Sequence, residues 1–420
     1  MSEKNENRVI SAESDLRIAQ INMVNYGSTG KIMLQIAERA RNNHISVNTY
    51  STHLFSFRYK ESSPAQYGHT YFGTYIENGI HYILGTIFGN NGFFSAIGTR
   101  RLISRLKHFN PDIIHLHNLH GFCINLPTLF NYIKKNNIKT IWTLHDCWSF
   151  TGHCPYFTLA GCDKWKSGCG KCPQLEVYPK SYIDTTRLMF KKKQKCFLGV
   201  KDLTIVTPSE WLAGLVRQSF LKDYPVKVIN NGIDLSVYKP TPSDFRERYN
   251  ISAEQKILLG VAFGWGRRKG LDVFVKLAES LPDTYKIVLV GTDDKTDSEL
   301  PSNIISIHRT NNQQELAEIY TAADLFVNPT REENYPTVNM ESLACGTPVL
   351  TFKTGGSPEI IDETCGSVVE CDDFDAFQGE IERICTEKPY SAEACLARAK
   401  SFDMNERFRE YISLYTQNDC

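Results

Sequence analysis

Ten short apolar runs, none with a clear polar-apolar alternation, recur along this chain with helical segments between them. The first five occupy residues 18–25, 111–118, 139–146, 203–210 and 226–234; the second five occupy 256–264, 285–291, 303–309, 324–330 and 347–352. A strand wetted on one face alternates, whereas a strand covered on both faces does not, so these runs call for parallel strands with helices on either side. Two such series imply an α/β chain of two doubly wound domains, which 420 residues can accommodate. Turn residues and prolines in NNGIDLSVYKPTPSDF mark the hinge. The expected domains are therefore 1–228 and 229–401. Residues 54–98, aromatic and without a clear period, read as irregular.

Composition narrows the class. With 41% hydrophobic and 22% charged residues the chain can bury real cores, and its zero net charge gives no hint of a nucleic-acid surface. No run approaches the ~18 apolar residues of a spanning helix, and the N-terminal MSEKNENRVISAESDLR lacks a signal-peptide core. A cytoplasmic protein is expected. One basic patch, KKKQK at 191–195, reads as a solvated helix face or a lipid-facing one. Thirteen cysteines are many for a reducing compartment, and an odd count argues against a disulfide framework.

The stretch REENYPTVNMESLACGTPVL, residues 331–350, carries the chemistry. Pro336 suits the first position of a helix of about ten residues, Gly346 suits its end, and Pro348 forbids continuation. Amides near Pro336, Thr337 and Val338 lack intrahelical partners at the positive end of the helix dipole and suit a phosphate. Glu333 precedes that end and Glu341 lies inside the helix. Two acids flanking an anion site could hold hydroxyls on either side of a diphosphate; two solvated glutamates on an amphipathic helix would look the same. GVAFGWGRRKGLDVF places three consecutive cations on a glycine-broken strand-to-helix turn, a costly grouping unless an anion compensates it. Near the start, IAQINMVNYGSTGK is also a strand, a glycine turn and a helix opening. It fails the P-loop pattern twice, at Asn25 and Ile32. Gly27 and Gly30 still let a ligand approach backbone, unless they serve a tight turn alone.

Taken in order, that glycine turn, VTPSEWLAGLVRQSF, VINNGIDLSVYKP, RKGLD, ENYPTVNME and GGSPEI make the chain resemble the retaining family-4 glycosyltransferases of the GT-B fold over nearly its whole length. WTLHDCWSFTGHCPYF and CDKWKSGCGKCPQLEVYP are similar to the branch that holds colanic-acid-type exopolysaccharide enzymes. The resemblance implies two Rossmann-like domains facing an interdomain cleft, with residues 402–420 returning to the N-terminal, acceptor-binding one. It implies that Glu333 holds the donor sugar's hydroxyls, Glu341 the ribose, and Lys269 the diphosphate, with His145 beside the sugar. Asn334, Tyr335, Pro336, Thr337, Val338 and Gly30 would complete the donor site; Gly27, His117 and Asn118 would meet the acceptor. Where the family has an arginine, five residues before the lysine, this chain has Gly264. Arg267 or Arg268 must supply that charge, and Arg268 is the better candidate. His145 could equally be a satisfied strand-end histidine. His115 and His117 share a strand face, where they shape the acceptor cleft or serve structure; no carboxylate follows them at metal-binding spacing.

The implied reaction moves a sugar from a UDP- or GDP-linked donor to a lipid-linked or oligosaccharide acceptor in bacterial surface-polysaccharide synthesis. No catalytic metal is expected, and contact with the inner membrane would be peripheral. A sugar-nucleotide epimerase of similar architecture and a non-catalytic nucleotide-sugar-binding protein are the alternatives. Cys154, Cys162, Cys169 and Cys172 stand apart from that chemistry, spaced C-x7-C-x6-C-x2-C among glycines. They suit a structural zinc, with Cys147 and His153 as substitute ligands, an iron–sulfur cluster, or free or disulfide-linked thiols.

Overall fold

The structure, a computed structural model, describes residues 16–53 and 68–417; most of the polar N-terminal segment and the first part of the 54–98 stretch lie outside the described residues. Strands β1 (Arg17–Ile21), β2 (Ser46–Ser51), β3 (His69–Tyr71), β4 (Ile113–Leu116), β5 (Lys139–Thr143), β6 (Leu203–Thr207) and β7 (Val226–Val228) form a sheet of order β3-β2-β1-β4-β5-β6-β7. Strands β8 (Lys256–Val261), β9 (Tyr285–Val290), β10 (Ile304–Ile307), β11 (Leu325–Asn328), β12 (Val349–Phe352) and β13 (Gly366–Val369) form a second, of order β10-β9-β8-β11-β12-β13. Pairing is parallel, with Ile18 opposite both Val47 and Ile113, and Leu258 opposite both Ile287 and Leu325. This is the doubly wound architecture that the unbroken apolar runs require.

Burial on both faces explains those runs. In the second sheet Leu258, Leu289, Leu325 and Leu350 pack with Phe274, Leu277 and Phe377, while the alternate residues Ile257, Leu259, Val288 and Phe326 pack with Tyr320, Met340 and Leu343. Each sheet also reverses its winding at the same place. The first strand of each set lies between the second and the fourth, β1 between β2 and β4 and β8 between β9 and β11. At such a switch point the loops leaving two neighbouring strands diverge to opposite faces and open a crevice.

The chain divides into two compact units, Met1–Thr143 with Cys196–Thr204 and Ile412–Cys420, and Leu144–Lys195 with Ile205–Tyr411. In the first unit Tyr415, near the chain's end, meets the sheet: its hydroxyl lies 2.6 Å from His115 Nδ1 and accepts a hydrogen bond from Gln20 Nε2 at 3.2 Å. Helix α1 (Gly27–Asn42) follows β1.

Where described, residues 54–98 are not irregular. They hold β3, helix α2 (Tyr75–Phe88) and the start of helix α3 (Ala96–Phe109). Helix α2 inverts the usual amphipathic pattern: its isoleucines are exposed while Asn78 and His81 are buried. Its ends were nevertheless readable: the Thr74 hydroxyl accepts the Glu77 N–H at 3.2 Å, and Gly89 closes the helix at φ +67°. Among the described residues no helix is long and apolar enough to cross a membrane.

Candidate active site

At the β8/β11 switch point the turn after β8 meets the loop after β11. The turn ends in a single 3-10 turn, Arg267–Lys269, and Gly270 then starts the next helix at φ +78°, with Pro329 so near that a Cβ at Gly270 would lie 2.4 Å from its oxygen. Arg331 locks the two segments together. Its guanidinium is 6% exposed, forks onto both carboxylate oxygens of Asp272 at 2.7 and 2.8 Å, reaches Asp372 at 2.6 Å, and donates to the Arg267 oxygen at 2.6 Å. Such a planar fork fixes orientation as well as charge. No spacing rule had pointed to Arg331.

The clamp brings Lys269 and Glu333 together, and the Lys269 ammonium donates to Glu333 Oε2. The two side chains are 19% and 17% exposed, so neither acid nor base is a solvated surface charge. Burial alone would raise the Glu333 carboxyl, but Lys269, Arg268 and the Asn334 N–H outweigh it and hold it below its ordinary value. Arg268 donates to the Glu332 oxygen at 3.4 Å and lies 5.8 Å from the centre of the Tyr156 ring. Gly264, at the family's arginine position, has φ +81°, a conformation that an arginine would adopt only with strain.

Asn334 is the hub of the loop. Its side-chain N–H donates to the His145 backbone oxygen at 3.0 Å, its side-chain oxygen accepts from the Ser209 hydroxyl at 2.7 Å, and its backbone oxygen accepts from Gly356 N–H at 2.7 Å. The Glu359 carboxylate accepts the N–H groups of Glu210 and Trp211, at 2.9 and 2.7 Å. These bonds account for PSEW and GGSPEI as braces of the Glu333 loop. Tyr335 turns away into the hydrophobic core.

The helix after the loop spans Thr337–Ala344, with Pro336 just before its first residue and Gly346 beyond its end at φ +85°. Glu341, inside it, accepts the Tyr320 hydroxyl at 3.1 Å, and the Tyr238 hydroxyl is also turned toward this carboxylate. Burial and then Glu341 push the Tyr320 phenol far above its usual range. Sequence reasoning missed both tyrosines, which stand 103 and 21 residues from Glu341 in the chain (341 − 238 and 341 − 320). It also missed Tyr156, a phenol raised first by burial and then by Glu333 and Asp146, and Glu332, which accepts the Leu159 N–H at 2.9 Å and ties the preceding loop to the site.

The β1/β4 switch point of the first unit is built from amides instead of charges. Asn118 N–H donates to Asn22 Oδ1 at 3.1 Å, Met23 N–H donates to the Asn118 oxygen at 2.9 Å, and the Asn22 side chain donates to Val24 O and Thr29 Oγ1 at 2.9 and 3.3 Å. The nearby helix opening contains Gly27 and Gly30, and the latter lies so close to the Asn25 backbone that a Cβ would come within 2.5 Å. His117 stacks on His115 with ring centroids 4.2 Å apart, as one strand face requires. His115 also has Thr143 Oγ1 2.8 Å from Nε2, so both of its ring nitrogens are engaged and it serves structure.

The expected structural zinc finds no support in the four-cysteine loop. Cys154, Cys162, Cys169 and Cys172 all line one cavity of about 20 Å³, but among the described residues no three His, Cys, Asp or Glu side chains are grouped to hold a metal ion. The loop is closed by other means: Trp165 stacks on Phe157 at 4.9 Å and meets Phe150 at 5.3 Å, and Gly152 N–H donates to Cys169 Sγ at 3.1 Å. Burial pushes the Cys154 thiol up to about 12, so it behaves as a small apolar lining. Lys193, from the basic patch, is fully buried beneath this loop; it donates to the Trp148 and Thr151 oxygens at 2.7 and 3.1 Å over the Trp148 ring. Desolvation lowers its ammonium to about 7, and it faces neither solvent nor lipid.

Known proteins share this organisation. Sucrose-phosphate synthase from Thermosynechococcus elongatus superposes with a TM-score of 0.70 at 19% identity, covering 95% of this chain and 98% of that one. Anabaena HepE, solved with UDP and glucose, superposes at 0.66 with 14% identity, over 95% and 99%. These likenesses establish the GT-B fold. Residues 48–237 match the model described as Glycosyltransferase Family 4, and residues 255–387 match the one described as Glycosyl transferases group 1. A protein of Escherichia coli K12 named as a colanic acid biosynthesis glycosyl transferase, WcaC, is 24% identical over 321 residues, 73% of this chain and 76% of that protein. The chain therefore carries a Glycosyltransferase Family 4 domain followed by a Glycosyl transferases group 1 domain, and it is a glycosyltransferase.

Proposed function

We propose that this protein is a retaining glycosyltransferase that moves a sugar from a nucleotide-sugar donor to a lipid-linked or oligosaccharide acceptor in bacterial surface-polysaccharide synthesis. The observation that carries the donor assignment is the buried Lys269–Glu333 pair at the β8/β11 switch point, in the loop that opens the Thr337–Ala344 helix. In this reading Lys269, Arg268 and the amides of Thr337 and Val338 take the diphosphate, Glu333 takes the sugar's hydroxyls, and Glu341 takes the ribose. His145, its backbone held by Asn334, stands on the sugar side. The UDP bound by Anabaena HepE and the polysaccharide named for WcaC support a uridine donor and an exopolysaccharide product.

Cleavage of the glycosidic bond leaves negative charge on the departing diphosphate, and cations already fixed at that position stabilise the transition state most. Retention follows if the acceptor hydroxyl attacks the face that the diphosphate leaves, giving its proton to the departing phosphate oxygen. Gly27, His117 and Asn118 are assigned to the acceptor, because hydroxyl-bearing sugars match amides and ring nitrogens. A lipid-linked acceptor would place the enzyme in peripheral contact with a membrane surface.

Glu341→Ala is expected to weaken nucleotide binding, while Glu333→Ala loses transfer with nucleotide affinity largely kept. Calorimetry against UDP-, GDP-, ADP- and dTDP-sugars, followed by transfer assays with the preferred donor, checks both. Normal transfer by both variants would remove the assignment. The glycine at position 264 favours one second reading, binding without transfer; a donor that binds but is never consumed with any acceptor would establish it.

A further inference from the structure

Seven of the sixteen large hydrophobic side chains that the described residues expose belong to helix α2. Ile76, Ile80, Ile83 and Ile87 are 78, 53, 56 and 37% exposed and recur in steps of four, three and four, which places them within an arc of about 60° on one face. The opposite face is polar and buried. Asn78 donates to the Thr52 hydroxyl at 2.6 Å, His81 Nδ1 lies 2.8 Å from the Ser95 hydroxyl, and His81 Nε2 accepts the Gly92 N–H at 3.2 Å. These bonds fix the helix's rotation, so the isoleucines face outward by construction. Water on both sides of such a helix would favour the reverse arrangement.

Helix α3 begins against the first turn of α2 and carries charge. The Glu77 carboxylate on α2 accepts the N–H groups of Ile97 and Gly98 at the start of α3, at 2.9 and 3.0 Å, which joins the opening turns of the two helices. Ile97 is 59% exposed and continues the apolar surface. Beyond it Arg100, Arg101, Arg105 and Lys107 are exposed, and α3 contains no acidic residue.

We propose that helix α2 lies in the interfacial layer of an anionic phospholipid bilayer, its isoleucine stripe among the acyl chains and the cations of α3 on the headgroups. The proposal gives a location to the membrane contact inferred above and rests on it. At 14 residues the helix is shorter than the ~20 needed to span, so it lies in the plane of the interface. A second copy of the chain is the poorer occupant, since it would bring the cations of one α3 near those of the other.

Sedimentation of the full-length protein with vesicles of phosphatidylglycerol and phosphatidylethanolamine, and separately of phosphatidylcholine alone, tests the surface. The protein is expected to pellet with the anionic vesicles, to bind the neutral ones more weakly, and to be released by salt. Ile80→Asp with Ile83→Asp should lower partition more than tenfold without moving circular dichroism or the melting midpoint. Arg100→Glu with Arg101→Glu should lower it more than tenfold on anionic vesicles only, each cation contributing about fivefold. If the wild type pellets with neither vesicle, both the contact and its location fall. If the Ile80/Ile83 variant pellets like the wild type, the α2 surface alone is overturned. A wild-type dimer that this variant dissolves, without vesicle binding, would overturn the lipid in favour of a second copy.

Discussion

The two switch points occupy the same place in two sheets of the same winding, yet they are furnished in opposite ways. After β8 and β11 the strand ends carry Arg267, Arg268, Lys269 and Glu333, clamped by Arg331; after β1 and β4 they carry Asn22 and Asn118, joined by an amide hydrogen bond, with His117 beside them in the chain. The proposed function assigns the charged crevice to the leaving diphosphate and the amide-lined one to acceptor hydroxyls. The difference teaches that the fold supplies the crevice while the turn after the central strand sets its chemistry. It also ranks the variants that can break the comparison.

The largest effect is expected at the charged turn. Lys269→Gln should lower turnover about 10²- to 10³-fold, because a fixed cation aimed at developing charge acts most strongly in the transition state. Lys31→Gln, the corresponding cation on the opening turn of α1, is exposed and should leave transfer near the parental rate. Steady-state transfer assays on the two variants compare the crevices directly. Equal losses would mean that both crevices handle phosphate, and a loss at Lys31 alone would exchange their roles.

Much of this was legible in the chain because it depends on local rules. Unbroken apolar runs disclosed strands covered on both faces, and three adjacent cations on a glycine turn marked the segment that meets the loop after β11. The residues that escaped are those whose role comes from distant partners. Arg331 acts through Asp272 and Asp372, and Tyr320 meets Glu341 across the packing of two helices, so neither has a spacing signature. Strands β2 and β13 were missed because the first is rich in Ser, Asn and Thr and the second is a short edge. The C-x7-C-x6-C-x2-C spacing suggested a tetrahedral metal site, yet among the described residues no metal-holding group is found and aromatic packing closes that loop. KKKQK lies on a helix with Lys191 and Lys195 exposed, as a solvated face requires, while Lys193 turns inward and caps two of the loop's carbonyls, which spacing alone does not disclose. Helix α2 escaped because its polar face points inward, the inverse of the pattern that sequence periodicity seeks.

The next effect separates close packing from charge. A methyl at Gly30 would press on the Asn25 backbone at 2.5 Å, and one at Gly270 would press on the Pro329 oxygen at 2.4 Å from a left-handed backbone. Gly30→Ala should therefore cost about 1–3 kcal/mol of stability by overpacking, and Gly270→Ala about 2–4 kcal/mol because left-handed strain adds to the clash. Denaturant unfolding midpoints check the order. A tolerated Gly270→Ala would show that the turn can move off the loop after β11, which would weaken the claim that Lys269 is held in place.

The smallest effect bears on the missing family arginine. At Gly264 a Cβ would meet nothing within 4 Å, so the left-handed φ of +81° is the whole penalty and Gly264→Arg should cost only about 1 kcal/mol. If Arg268 has taken over the charge, Arg268→Ala should lower transfer about tenfold, the worth of one charge-assisted hydrogen bond, whereas Gly264→Arg in the parent adds little. The opposite result, with transfer indifferent to Arg268→Ala and raised by Gly264→Arg, would mean that the charge is absent from this crevice and not relocated, leaving Lys269 and the helix amides to carry the diphosphate.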